Sequence, residues 1–349
     1  MTIWDGSSSA LLSRVGATHG WLSATTPHPA VPFSLFAIAH AVRVACAYRG
    51  IARAGGYDQQ LGNFQAALVP LVLILGGSTV SSVLLGLVPG WVVTPVPVAT
   101  YGLIPLVAAK TGLVSLILSL PTLPRETLFC LIDGFSRIMG MTTLGVDVVL
   151  THPNAAVRSS PWAMVLVAFL SGGGGGMLVP MFGMFGPEWG FTTTPSFVKN
   201  GLSIDVWSAA FIGYIYATLI DAHPFFRHPV AYAFAHVPAL RDFVDVPKGY
   251  LTHSARGSML LQPAEAKIFC SLLLASMLFT SRLVLPSLRR SSSSSPLSGA
   301  KAAAAKQRKQ LVAGVRDAQQ AVASASASGV QTPGQGAKGK AGVRERKMQ

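Results

Sequence analysis

The residues of this chain that could do chemistry are charged side chains set inside apolar sequence. Lys110 stands in LVAAKTGLV and Lys199 in SFVKNGLS. Arg43 stands in AHAVRVAC; Asp133, Arg137 and Asp147 fall within FCLIDGFSRIMGMTTLGVDVVL. A charged group at bilayer depth costs at least about 2.5–3.5 kcal/mol on insertion scales, so it persists mainly where it faces protein or water. Lys110, read as mid-span, is therefore expected to line a water-filled path. Lys199 lies nearer a span end and is a second gate candidate, with snorkelling to the interface as the alternative. Arg43 and Arg137 are expected either to reach a lipid phosphate or to pair with Asp133. His40 and Asp147 are read as structural.

The other candidates are backbone. Gly76 and Gly77 stand in LILGGSTV, and Gly172, Gly173, Gly174, Gly175 and Gly176 in FLSGGGGGMLVP. Small residues let membrane helices approach closely, but each glycine costs a helix about 1 kcal/mol relative to alanine. Five in a row exceed what packing is expected to need, so the reading predicts a helix break there. A break frees carbonyls that protein or water must satisfy, which suits an ion path. Soluble-enzyme constellations do not occur: there is no HExxH, GxSxG or GxxxxGK[ST], and no carboxylate pair at helical spacing. The chain is read as a non-enzyme without a metal site. Cys46, Cys130 and Cys270 lie far apart in apolar runs and are read as small buried residues.

The elements that must position these groups follow from composition. Half of the 349 residues are hydrophobic and 11% are charged, against about 25% charged in soluble domains; mean hydropathy is +0.49. An all-α integral membrane protein is expected. Runs of about 20 apolar residues give seven spans, at about 33–48, 61–87, 95–120, 127–150, 161–185, 197–222 and 264–285. Residues 1–30 form an N-terminal segment without the signature of a cleaved signal peptide. Residues 31–286 form the membrane domain. Of the 27 Lys and Arg, 12 fall in residues 287–349, with only 2 Asp and Glu. That tail has a disordered composition, apart from a candidate short helix at 300–323, and its charge places the C-terminus in the cytosol. It lacks aromatics to stack bases, so nucleic acid is not an expected partner; anionic lipid is.

The first three spans resemble the next three. LGGS pairs with LSGGGGG, KTGL with KNGL, and AHAVR with DGFSR. The lysines are 89 residues apart and the arginines 94. A three-span repeat, at about 33–120 and 127–222, must be inverted. Inverted repeats place ion or substrate sites near the midplane, where broken helices meet. The seventh span then stands outside the repeat.

Several of these stretches are similar to the trimeric intracellular cation channel family: PFSLFAIAHAVRVACAYRG to its first span, LILGGSTVSSVLLG to its second, PWAMVLVAFLSGGGGGM to its fifth and PSFVKNGLSIDVW to its sixth. The resemblance covers about 32–285. It implies a homotrimer with one potassium-conducting path per protomer, in an endoplasmic-reticulum-type membrane, balancing calcium release. It also implies a bound phosphoinositide or other anionic lipid on the fourth span, held by a Lys-Glu-Val motif and a basic residue one turn later. Here the matching stretch is Ser136-Arg137-Ile138, with Gly140 in the second basic place, so Arg137 supplies a single contact. The connection at 223–262 is longer than the family's. Lys110 and Lys199 would repel cations unless paired or off the path. A small-solute carrier on the same repeat and a non-transporting scaffold with a lipid-binding tail are the rival readings.

Overall fold

The computed structural model describes residues 6–191, 194–227 and 259–287. Among them every regular element is a helix. The tail, its 300–323 helix candidate and most of the 223–262 connection lie outside the described residues.

Several of the helices begin where a side chain bonds one of the amides at the start. α1 spans Gly6–Ala24, inside the segment expected to precede the spans. α2 (Leu35–Ala54) starts on Ser34, whose side chain accepts from the Ala37 amide at 3.2 Å. α3 (Asn63–Leu84) starts where Gln65 Oε1 accepts from the Gly62 amide. α4 (Val96–Lys110) and α5 (Leu113–Ser119) are separated by Gly112. α6 (Thr122–Met141) runs without interruption into a π-helical turn, Thr142–Asp147, and a last turn, Val148–Leu150. α7 (Pro161–Met181) starts on a Ser160 cap with proline at its first position. α8 (Ser196–Asn200) and α9 (Ile204–Leu219) flank Gly201. α10 (Pro263–Phe279) continues into a second π-helical segment, Thr280–Val284.

α2, α3, α7 and the run Pro263–Ser287 are long and apolar enough to cross a membrane, and the bent pair α4–α5 makes a fifth. Seven were expected. α6 carries Arg125, Glu126, Asp133 and Arg137, and α9 is 16 residues long, about 24 Å.

The glycine run does correct an expectation. α7 passes through all five glycines as one helix, and α3 passes unbroken through Gly76 and Gly77. Packing accounts for the number. Five consecutive residues cover about 1.4 helical turns, so α7 has a bare waist on every side, and three elements close on it. A Cβ on Gly175 would overlap the Leu73 carbonyl of α3, and one on Gly174 would lie 2.7 Å from Gly77 Cα. A Cβ on Gly172 would overlap Met141, and one on Gly173 would lie 2.9 Å from the Val206 carbonyl of α9. The propensity cost of about 1 kcal/mol per glycine is offset by backbone-to-backbone contact on α3 and on α9.

The breaks fall instead at the lysine motifs. Gly112 and Gly201 have φ of +78° and +77°, a conformation that suits glycine. α4 and α5 meet there at 73°. The largest apolar core joins α6, α7, α9 and α10 around Met141, Met164, Ile212, Tyr216 and Leu274. A smaller one packs Ala45 and Cys46 of α2 on Val114 and Phe129. All three cysteines are buried and unpaired.

Candidate functional site

A cavity of about 580 Å³ lies among α2, α6, α7, α9 and the end of α10. Its walls carry Arg43, Asp133, Arg137, Asp205 and Arg282, with Arg125 and Glu126 as a further pair. Five of these charges form one alternating chain. Arg43 donates to Asp133 at 2.7 Å, and Arg282 donates to the same oxygen at 2.8 Å. Arg282 also donates to Asp205 at 2.7 Å, and Arg137 reaches that oxygen at 3.2 Å. Every guanidinium stays charged, so three positive groups share two carboxylates.

Burial makes the chain necessary. Arg43 and Asp133 are 7% and 6% exposed. A buried charge that loses its partner costs about 3–5 kcal/mol, so each carboxylate is held from two sides. The Arg43 guanidinium also stacks on Phe129, 4.6 Å from the ring centroid. Its Nε has no hydrogen-bond partner. Asp205 is more open, with its side chain 45% exposed. Arg137 also donates to the Asp205 carbonyl, and to the Gly172 carbonyl at 3.3 Å. Gly172, Gly173 and Gly176 form a wall of the cavity, and the absence of side chains leaves that carbonyl within reach. Next to it, Ser171 and Ser81 share a hydrogen bond of 2.6 Å between α7 and α3.

Three further clusters lie near the ends of helices. Arg49 and Arg53 both grip Asp58, at 2.9 and 2.8 Å, in the turn after α2, and Arg53 also donates to Ser115 of α5. Burial pushes the Asp58 carboxyl up, but the hydrogen bonds from Arg53 and Arg49 outweigh it and hold the group below its ordinary range. Lys267 of α10 pairs with Asp147 of the first π-helical turn at 2.8 Å; Tyr216 donates to the same carboxylate at 2.9 Å. Arg227 and Asp221 pair after α9.

The sequence-derived candidates divide. Arg43 and Arg137 line the cavity, and Arg43 takes Asp133 as partner. Arg137 pairs with Asp205 instead. Ser136 faces its own helix, donating to the Asp133 carbonyl at 3.3 Å. Gly76, Gly77, Gly174 and Gly175 belong to the α3–α7 crossing, not the cavity wall. Lys110 and Lys199 are exposed at the last turns of α4 and α8, just before the breaks, and neither lines the cavity. His40 lines it but is tied to the Tyr101 hydroxyl at 2.8 Å. Asp205 and Arg282 were missed. The criterion applied to Arg43 would have found Arg282, an arginine inside the last apolar run.

Compared with models of protein families, with curated proteins and with solved structures, the chain matches none.

Proposed function

We propose that the protein is a monovalent cation channel with one path through each protomer of a homotrimer, carrying potassium across an endoplasmic-reticulum-type membrane as counter-ion for calcium release. The observation that carries the reading is the charged cavity itself, whose wall holds a linked chain of three arginines and two aspartates within one protomer. Groups of this kind in an apolar helical protein persist when they face the protein interior or a water-filled path, and here they line a cavity.

In this reading the chain crosses the membrane seven times. α6 with its continuation to Leu150 is the fourth crossing, and α8–α9 the sixth. Two features support inverted repeats at 33–120 and 127–222. First, α3 and α7, the second members of each repeat, cross at their glycines in a reciprocal way. Gly77 lies over the Leu170 carbonyl, Gly175 over the Leu73 carbonyl, and Gly77 and Gly174 meet between them. A two-fold axis in the membrane plane gives that pattern. Second, each lysine stands in the last turn of a helix, two residues before a glycine of positive φ. The likeness to the trimeric intracellular cation channel family supports the trimer, the potassium and the organelle. A phosphoinositide or other anionic lipid, if bound as in that family, would meet Arg137. The basic tail is cytosolic in this topology.

Planar-bilayer recording of the purified full-length protein tests the proposal. Stepwise, cation-selective currents are expected. Saturable coupled flux without unit steps would make it a carrier, and silence at all voltages would reject transport. The trimer is tested by the mass of the detergent-solubilised complex.

A further inference from the structure

Arg282 is the middle link of the five-membered chain. Among the described residues it is the one guanidinium that touches both Asp133 and Asp205. Without it the remaining groups separate into two neutral pairs, Arg43–Asp133 and Arg137–Asp205. With it the cluster carries one surplus positive charge. The other pair on the wall, Arg125 and Glu126, cancels at 3.2 Å. The cavity as it stands therefore repels the ions that a cation channel must pass. The surplus belongs to a residue on α10's extension, outside the two repeats.

We infer that Arg282 is a tethered counter-ion: it occupies the cation's place between Asp133 and Asp205, closes the path, and sets its charge selectivity. The inference rests on the channel reading and adds the residue that regulates it. Carboxylates facing a narrow path are a recurrent device for attracting cations. Asp133 on α6 and Asp205 on α9 present such a pair from two walls, and the Arg282 guanidinium fills the gap between them.

The local backbone supplies a way to withdraw it. Arg282 sits in the π-helical segment Thr280–Val284. π-bulges are rare and concentrate at functional sites. Passing the extra residue along the helix turns a side chain by about 100° about the axis. That rotation takes Arg282 off both carboxylates while α10 keeps its place. The other end of α10 stays anchored, because Lys267 holds Asp147 and Thr143 at 2.8 and 2.9 Å.

The test uses full-length protein in planar bilayers under a potassium chloride gradient, with wild type, R282Q, R282K and R282H. R282Q is expected to raise potassium current about tenfold or more, since it removes a full charge within about 4 Å of the path. Its reversal potential should move toward the potassium equilibrium value. R282K keeps the charge and stays near wild type. R282H gives the comparison within one folded protein: low current at about pH 5, where imidazole is charged, and high current at about pH 8, where it is neutral. Wild type is run at both values, and the R282H pair decides if R282Q does not fold. The inference is overturned if wild type conducts and R282Q, or R282H at both pH values, matches it. If neither wild type nor any variant conducts at any voltage, the channel reading falls and takes the inference with it.

Discussion

Gly175 and Gly176 are neighbours in sequence, yet replacing each with alanine should have opposite effects. The contrast is worked from the α3–α7 crossing. A Cβ at Gly175 would overlap the Leu73 carbonyl oxygen and lie 2.6 Å from its carbon, where ordinary contact is 3.4–4 Å. Both atoms are backbone, so no rotamer can yield. The helices must part by about 1 Å, and overpacking of this kind costs about 1–3 kcal/mol, occasionally more. Against that, alanine returns about 1 kcal/mol of helix propensity. The overlap is severe and with backbone, so the upper cost applies and Gly175→Ala should destabilise by about 2 kcal/mol net. A Cβ at Gly176 would meet only Val206 Cγ2, at 3.5 Å. Gly176→Ala should keep the propensity gain and stabilise by up to about 1 kcal/mol. The two variants should thus differ by about 3 kcal/mol, a factor of over 100 in the unfolding equilibrium. Reversible unfolding in mixed micelles, followed by circular dichroism, measures the difference. Equal stabilities, or a Gly175→Ala protein as stable as wild type, would refute the packing account and return the run to a hinge.

Other expectations follow from the same geometry. Asp133→Asn should cost several times more stability than Asp205→Asn, because Asp133 is 6% exposed while the Asp205 side chain is 45% exposed and exposed pairs contribute little; melting of both variants in detergent checks it. Gly112→Ala should destabilise by about 1–2 kcal/mol, the cost of a left-handed backbone for a residue with a Cβ, since open space surrounds that glycine and no clash adds to it. Asp58 has a depressed pKa in the folded state, so its contribution is full above the ordinary carboxylate range and is lost as pH falls through the lowered value. Unfolding of Asp58→Asn and wild type across acidic pH should show their difference shrink toward zero in strong acid. Lys110→Ala should leave cation current unchanged in bilayers, because Lys110 is exposed and off the cavity; a changed current would put it back on the path.

What was legible in the sequence was the class of element and the residues too costly to be idle. Helices α2, α3 and α7 stand where apolar length put them, and Arg43, Asp133 and Arg137 meet in one cavity as their insertion cost suggested. Two things were hidden. Whether a glycine run breaks a helix depends on what packs against it, and only the crossing with α3 and α9 shows that Gly172 to Gly176 are bare because backbone lies there. A single Gly in KTGL, by contrast, sits at positive φ and bends the chain by 73°. Charge pairing was the second. Asp205 and Arg282 stand 77 residues apart and meet only because α9 and α10 pack on α6.

The α3–α7 crossing has a mechanical consequence. Most helix pairs interlock through side chains that fill one another's grooves, so turning one against the other means lifting each knob out of its hole. At Gly77, Gly174 and Gly175 the contact is smooth, chain against chain. Such a joint resists being pulled apart or thickened, while at the glycines themselves a swivel lifts no knob out of a hole; it works against the Ser81–Ser171 hydrogen bond beside them. If the two halves of the molecule rock, this is the bearing on which they turn.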